Sequence, residues 1–251
     1  ADMTVSPRQD DTQLVFTLNP GFNITSISAT GHKVSFERLM HLIILKFEDN
    51  LHVDEPVKIV MEYSGNADER ICYLDIQADK LIENSKVLSM LNIGKRYLFQ
   101  DKEFTMLTPE SYWYPRPGVA YSDQSPEWQM SYFTDFNISV TPNPGLTPIS
   151  QGMCMVNADS TTYTFTPESS LPSVSLIIGD YTPKSITVDS TVYTVWELGH
   201  WNDMFETFDS IRDTIPIVLR DIRRNMEFSA DMAYPFKRFN IVEVPAHFTS
   251  Y

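Results

Sequence analysis

The six residues Asp135-Phe136-Asn137-Ile138-Ser139-Val140 alternate polar and apolar side chains without a break. Successive side chains of an extended chain point to opposite faces. The pattern therefore places Phe136, Ile138 and Val140 on one face of a strand, with Asp135, Asn137 and Ser139 on the other. Outward from this stretch the same period of two recurs in short runs broken by Pro, Asn, Asp and Gly. On the C-terminal side Tyr163 and Phe165 alternate with threonines, and Val174 to Ile178 is an apolar run closed by Gly179. On the N-terminal side the candidates are Gln13 to Leu18, Ile24 to Ala29, a broken pair within Val34 to Phe47, and Ile71 to Ile76. Val57, Ile59, Met61 and Tyr63 share one face of a further run, opposite Lys58, Glu62 and Ser64. Many short strands separated by turn residues predict a mainly β chain: an antiparallel β-sandwich domain over residues 1–182.

The pattern changes beyond that point. Met204, Phe208, Ile211, Ile215, Val218 and Ile222 follow one another at steps of three and four, which predicts a helix with one buried stripe. Asn202 is placed to cap it, with Asp203 and Glu206 in its first turn. Pro216 either kinks this helix or starts a second one behind Thr214. Phe239 to Pro245 then reads as a strand. Residues 183–251 are thus expected to be an incomplete α/β segment, of strand–helix–strand type. One helix and a few strands cannot bury both faces of such a layer. The segment must lie on the sandwich, dimerise, or belong to a longer protein, and the last is the expectation adopted.

Bulk properties exclude several classes of function. With 19 basic and 33 acidic residues among 251, the formal net charge is −14. Such a chain repels phosphate backbones and anionic lipid surfaces, which argues against a nucleic-acid partner. Arg220, Arg223 and Arg224, followed by Lys237 and Arg238, read as a solvated helix face and the strand after it. No apolar run approaches the roughly 18 residues of a membrane span, so no direct membrane insertion by this segment is expected. Ala1-Asp2-Met3-Thr4 shows neither the basic nor the apolar region of a secretory leader. Cys72 and Cys154 lack the paired spacing of a structural zinc site. They could form one disulfide; two unpaired buried thiols is the reading preferred.

No complete active site is legible. None of His32, His41, His52, His200 and His247 belongs to an H-E-x-x-H helix. Glu197-Leu-Gly-His200 holds a carboxylate and an imidazole three apart, but its glycine marks an ordinary turn. A G-x-S-x-G elbow and a glycine-rich phosphate loop are both absent. Glu243, between Val242 and Val244, reads as an outward-facing strand residue. The most distinctive local feature is Ser111-Tyr112-Trp113-Tyr114-Pro115-Arg116-Pro117-Gly118. Its rings could form a stacking platform for a sugar or peptide, as in a carbohydrate-binding sandwich. A rigid connection with buried rings is the preferred reading, because Pro115 and Pro117 fix the backbone.

Taken in order, several segments resemble the zinc aminopeptidase family that includes membrane alanyl aminopeptidase and leukotriene A hydrolase. They are Trp113-Tyr114-Pro115, Phe136-Asn-Ile-Ser-Val-Thr-Pro142, Ile149-Ser150-Gln151-Gly152, Phe165-Thr166-Pro167 and Leu176-Ile-Ile-Gly179-Asp-Tyr181. Tyr234-Pro235-Phe236-Lys237-Arg238-Phe239 and Ile241-Val-Glu-Val-Pro245 are similar to the opening of that family's catalytic domain. The arginine-rich lead and the Pro-Cys-x-Asp phrase of the family are missing. Leu107-Thr108-Pro109-Glu110 is similar to a phrase of the divergent bacterial branch fused to ABC transporter permeases.

The resemblance implies the non-catalytic N-terminal portion of a metallopeptidase-like protein, providing scaffold and one rim of a peptide-binding cleft. In the family a polar residue just upstream of the aromatic-proline turn helps to hold the substrate's free α-amine. Glu110 matches it by position, with Thr108 behind it. The zinc helix, the Gly-x-Met-Glu-Asn loop and the proton-donating tyrosine would all lie beyond Tyr251. The chain itself is thus expected to hold no cofactor and to be inactive alone, with zinc in the parent protein. Its expected partners are the remainder of the catalytic domain and a peptide substrate. The permease branch implies an extracytoplasmic location, attached to a membrane through the parent. It also carries the alternative reading, an extracytoplasmic binding or interaction module of a membrane transport protein.

Overall fold

The computed structural model describes residues 1–73, 98–119, 133–199, 211 and 213–245. The chain forms two compact units, one of residues 1–100 with 106–132, the other of 101–105 with 133–251.

The first unit begins with β1 (Asp2–Val5), β2 (Asp11–Thr17), β3 (Phe22–Ala29), β4 (Val34–Leu39), β5 (Leu42–Leu51) and β6 (Val57–Gly65). Short strands β7 (Leu98–Gln100) and β9 (Arg116–Pro117) follow, and β8 (Thr105–Leu107) has its first residue in the second unit. β1-β6-β3 form one antiparallel sheet and β4-β5-β2-β9 another. The alternation read from the sequence puts Val57, Ile59 and Met61 of β6 inward, and they meet Phe16, Ile43, Leu45 and Phe47 of the facing sheet in one core. The broken pair in Val34 to Phe47 is a hairpin in which Leu39 pairs with Leu42 and Met40 turns the chain at φ 53°.

One expected strand is corrected. Residues Glu69–Tyr73 form a 3-10 turn where Ile71 to Ile76 was to run extended. The Asp68 carboxylate accepts the backbone N–H of Arg70 at 3.0 Å, which starts a turn in place of a ladder. Ile71 is buried against Tyr112 rather than on a sheet face. Residues 74–76 lie outside the described residues, as does the side chain of Cys72.

The second unit holds β10 (Ile138–Val140), β11 (Thr147–Ser150), β12 (Met153–Val156), β13 (Tyr163–Thr166), β14 (Leu176–Gly179), β15 (Tyr181–Val188), β16 (Thr191–Leu198) and β17 (Arg238–Val242). β10-β13-β12 form an antiparallel sheet, and β11 pairs antiparallel with β14. Gly152 links β11 to β12 at φ +95°, and a Cβ there would lie 2.4 Å from the Thr166 backbone. Only glycine meets both demands. Every residue of edge strand β12 is exposed, and Cys154 is a free, exposed thiol. This overturns the expectation of a buried one: among the described strands β12 pairs only with β13.

The expected strand–helix–strand segment is present. β16 leads through α1 (Ile215–Ala230) to β17, which pairs parallel with β16, while β15 pairs antiparallel on its other side. Pro216 sits in the first turn of α1 behind Thr214, so it starts a helix rather than kinking one. Asn202, Asp203, Glu206 and the first part of the apolar run lie outside the described residues.

The predicted buried stripe is displaced. Ile215 is buried, but Ile211, Val218 and Ile222 are exposed. The half-buried face carries Pro216, Leu219, Arg220, Arg223 and Glu227 instead. Arg220 and Arg223 both reach Asp189 in the β15–β16 turn, at 3.1 and 2.9 Å, and Arg223 also donates to Thr191 at 3.2 Å. Arg220 and Arg223 are thus ion-paired anchors of the helix rather than the solvated face expected. Two guanidinium groups bind one carboxylate from the half-buried face, which is offset from the hydrophobic stripe.

Candidate functional site

The stretch 108–116 is built around a short, heavily bonded turn. Thr108 leaves β8 in an extended conformation, and Pro109 opens a 3-10 turn over Pro109–Ser111. Tyr112 ends it in the left-handed region at φ 48°, ψ 44°. A non-glycine residue there costs roughly 1–3 kcal/mol and persists only where its surroundings over-determine it. Here they do. The backbone N–H of Tyr112 donates to the Pro109 carbonyl at 3.1 Å, and its own carbonyl accepts the N–H of Asn19 at 2.9 Å. Its buried ring packs with Ile71, and the Arg116 guanidinium lies 5.5 Å from the ring centre. Ser111, fully buried, donates from both N–H and Oγ to the Thr108 carbonyl, at 3.0 and 2.6 Å.

Glu110 stands at the apex of this turn and is exposed. Among the described residues its carboxylate has no hydrogen-bond or ion-pair partner. Thr108 belongs to the same turn but is 7% exposed. The structure therefore brings the two predicted residues together and offers only one of them, Glu110, to solvent.

The rings that follow do not make a platform. Trp113 is half-buried against the core of the first unit, and its carbonyl accepts the Tyr63 hydroxyl at 3.1 Å. Burial pushes the Tyr63 phenol up to about 12. Trp113 and Tyr114 meet edge to face, 4.9 Å apart at 84°, so no shared flat surface is presented.

Sequence reasoning passed over Asn19, whose buried side chain bonds to this turn. Its only signal was the phrase Leu18-Asn19-Pro20-Gly21, which reads as an ordinary chain reversal. Other ionisable groups serve structure. Glu243, expected to face outward, accepts the N–H of Leu198 on its carboxylate at 2.8 Å, and its carbonyl accepts the Tyr181 hydroxyl at 2.7 Å. Glu197, next to last in β16, is almost fully buried, and among the described residues one of its carboxylate oxygens has no hydrogen-bond partner.

Among the described residues, no group of three or more His, Cys, Asp or Glu side chains converges on a point where a metal could sit. His52 pairs with Asp10 at 3.3 Å, and His41 lies apart from it with its pKa lowered by burial. His200 and His247 lie outside the described residues. The donor set described does not fit zinc, and no chemical step is assigned to a metal here. No described helix is long and apolar enough to cross a membrane.

No protein-family model matches the chain, and no curated protein matches it. Solved structures do match. An M1 zinc metallopeptidase from Deinococcus radiodurans aligns with a TM-score of 0.61 at 15% identity, over 97% of this chain and 51% of its own. A mutant two-domain M1 zinc metallopeptidase bound to L-arginine gives 0.62 at 15% identity, over 97% and 51%. Another, bound to L-tryptophan, gives 0.62 at 14% identity, over 99% and 56%. The chain spans about half the length of the proteins it matches. At such identities the likeness is one of fold: the chain has the mainly antiparallel β fold of the N-terminal part of an M1 metallopeptidase.

Proposed function

We propose that this chain is the non-catalytic N-terminal portion of a zinc-aminopeptidase-like protein. It supplies scaffold and one rim of a peptide-binding cleft, where Glu110 holds the free α-amine of a bound peptide. The observation that carries this reading is the Glu110 carboxylate itself, exposed and, among the described residues, without a hydrogen-bond or ion-pair partner, on a turn held by backbone hydrogen bonds at Ser111 and Tyr112. A carboxylate facing an ammonium forms a charge-assisted bond, and a rigid support means little ordering entropy is lost on binding. In open solvent such a pair contributes only about 0–1 kcal/mol, so its effect depends on the remainder of the parent protein excluding water.

The parent's own domain boundary is placed near residue 182, with 183–251 opening the catalytic domain. The zinc of that domain, when bound, would activate water and polarise the scissile carbonyl. The phrase Leu107-Thr108-Pro109-Glu110 supports a parent of the permease-fused bacterial type, with this segment outside the cytoplasm.

The test is kinetic, on the full-length parent. Glu110→Gln should raise KM for L-alanyl-p-nitroanilide by about tenfold, the loss of one charged hydrogen bond. An unchanged KM, or equal cleavage of the N-acetylated substrate by the wild type, would defeat the amine-binding role.

A further inference from the structure

We infer that Asn19 is a positioning residue: its buried carboxamide fixes the Pro109–Ser111 turn and thereby aims the Glu110 carboxylate. The functional consequence rests on the amine-binding reading above, whereas the geometric claim stands by itself.

Asn19 lies between β2 and β3 and is 0% exposed. Its Nδ2 donates to the carbonyl of Ser111 at 2.7 Å and to that of Asp68 at 3.0 Å. Its Oδ1 accepts the N–H of Gly21 at 2.9 Å and of Asp68 at 2.6 Å. Both donors and both acceptor positions of the carboxamide are thus used. The backbone takes part as well: the N–H donates to the Tyr112 carbonyl at 2.9 Å, and the carbonyl accepts Arg38 Nη2 at 2.7 Å. Arg38 in turn binds the carbonyls of Phe22 and Met40. One side chain therefore ties together segments 49 and 92 residues away along the chain.

The direction of Glu110 depends on this knot. Its carboxylate is exposed and, among the described residues, has no hydrogen-bond or ion-pair partner to orient it, so the backbone of the turn sets where it points. That backbone continues into Ser111 and Tyr112, whose carbonyls are both held by residue 19. Tyr112 sits in a costly left-handed conformation that relaxes once its support is removed. No other side chain replaces Asn here. Asp lacks the two donors, Leu lacks every bond, and Gln adds a methylene to a filled site.

The decisive variant is Asn19→Asp, which keeps the acceptor oxygens and removes both donors. Asn19→Ser serves as a milder companion should repulsion between the new carboxylate and two carbonyls prevent folding. Amide hydrogen exchange on this chain should quicken about tenfold at Ser111 and Tyr112, while the Ile59 and Met61 amides stay within about twofold. In the full-length parent the same variant should raise KM for L-alanyl-p-nitroanilide and leave kcat within about twofold, because only binding geometry is disturbed. Unchanged exchange at Ser111 and Tyr112 overturns the inference, and so does a uniform acceleration through β3 and β6. A loosened turn with unchanged KM also overturns it, provided Glu110→Gln raises KM. If Glu110→Gln has no effect, the amine-binding reading falls by itself, and the exchange pattern still decides whether Asn19 holds the turn.

Discussion

Tyr63 shows how burial of one polar group becomes a property of the whole domain. Its hydroxyl donates to the Trp113 carbonyl, and burial raises its pKa from 10.0 to about 12. Between those values the folded chain keeps a proton that the unfolded chain has released. The contribution of Tyr63 is therefore complete below pH 10.0 and is lost as pH climbs through about 12. Tyr181 is shifted in the same direction, chiefly by burial and secondarily by Glu243. We expect denaturation midpoints to fall more gently from pH 10 to 12 in Tyr63→Phe than in the wild type. Equal slopes would show that Tyr63 ionises freely. In the sequence Glu110 was singled out by the family resemblance, through its position just upstream of the aromatic-proline phrase, and its amine-binding role is a proposal. Asn19 was not singled out, since its partners are brought together only by folding.

At the scale of elements, α1 is tied to the β15–β16 turn by charge. Asp189, at φ 54° in the β15–β16 turn, binds Arg220 and Arg223. A hydrogen bond from Arg220, with the charges of Arg220, Arg223 and Arg224, keeps its carboxyl below the ordinary 3.8. A depressed carboxyl stabilises above its unfolded pKa, and that stabilisation is lost as pH falls through the lower folded value. Asp189→Asn should accordingly speed amide exchange along α1 at pH 7. The difference from the wild type should shrink in molar salt, where exposed charges are screened. A salt-independent difference would point to packing instead. The sequence showed the helical period but placed its buried face about one residue out of position. Periodicity reports where apolar residues cluster, whereas Asp189 lies on another element and decides which side of the helix faces the sheet.

At the scale of the whole molecule, β1-β6-β3 and β4-β5-β2-β9 of the first unit share one hydrophobic core. Ile59 is 0% exposed within it, so Ile59→Ala should cost about 2–5 kcal/mol, read from urea unfolding. A loss under 1 kcal/mol would mean the core collapses around the gap. Elsewhere the molecule leaves apolar surface open: Ile217, Val218, Ile222, Met226 and Phe228 on α1, with Phe239 and Ile241 on β17, are all exposed. This agrees with a segment that alone cannot cover both faces of its layer. Metal analysis of the purified chain should find no stoichiometric zinc; tightly held zinc at one per chain would place a ligand set within these residues.

The sequence by itself determined the mainly β class, most of the strand positions in the core of the first unit, and the strand–helix–strand order of β16, α1 and β17. All of these follow from local periodicity and from where Pro and Gly interrupt it. Only the tertiary structure decided that Glu69–Tyr73 turns, that Cys154 is open to solvent, that α1 docks by its arginines, and that Asn19 supports the turn of Glu110. Each of these depends on groups distant along the chain. Hydrogen bonds and ion pairs between such groups leave no period in a sequence, because their geometry exists only once the sheets have paired.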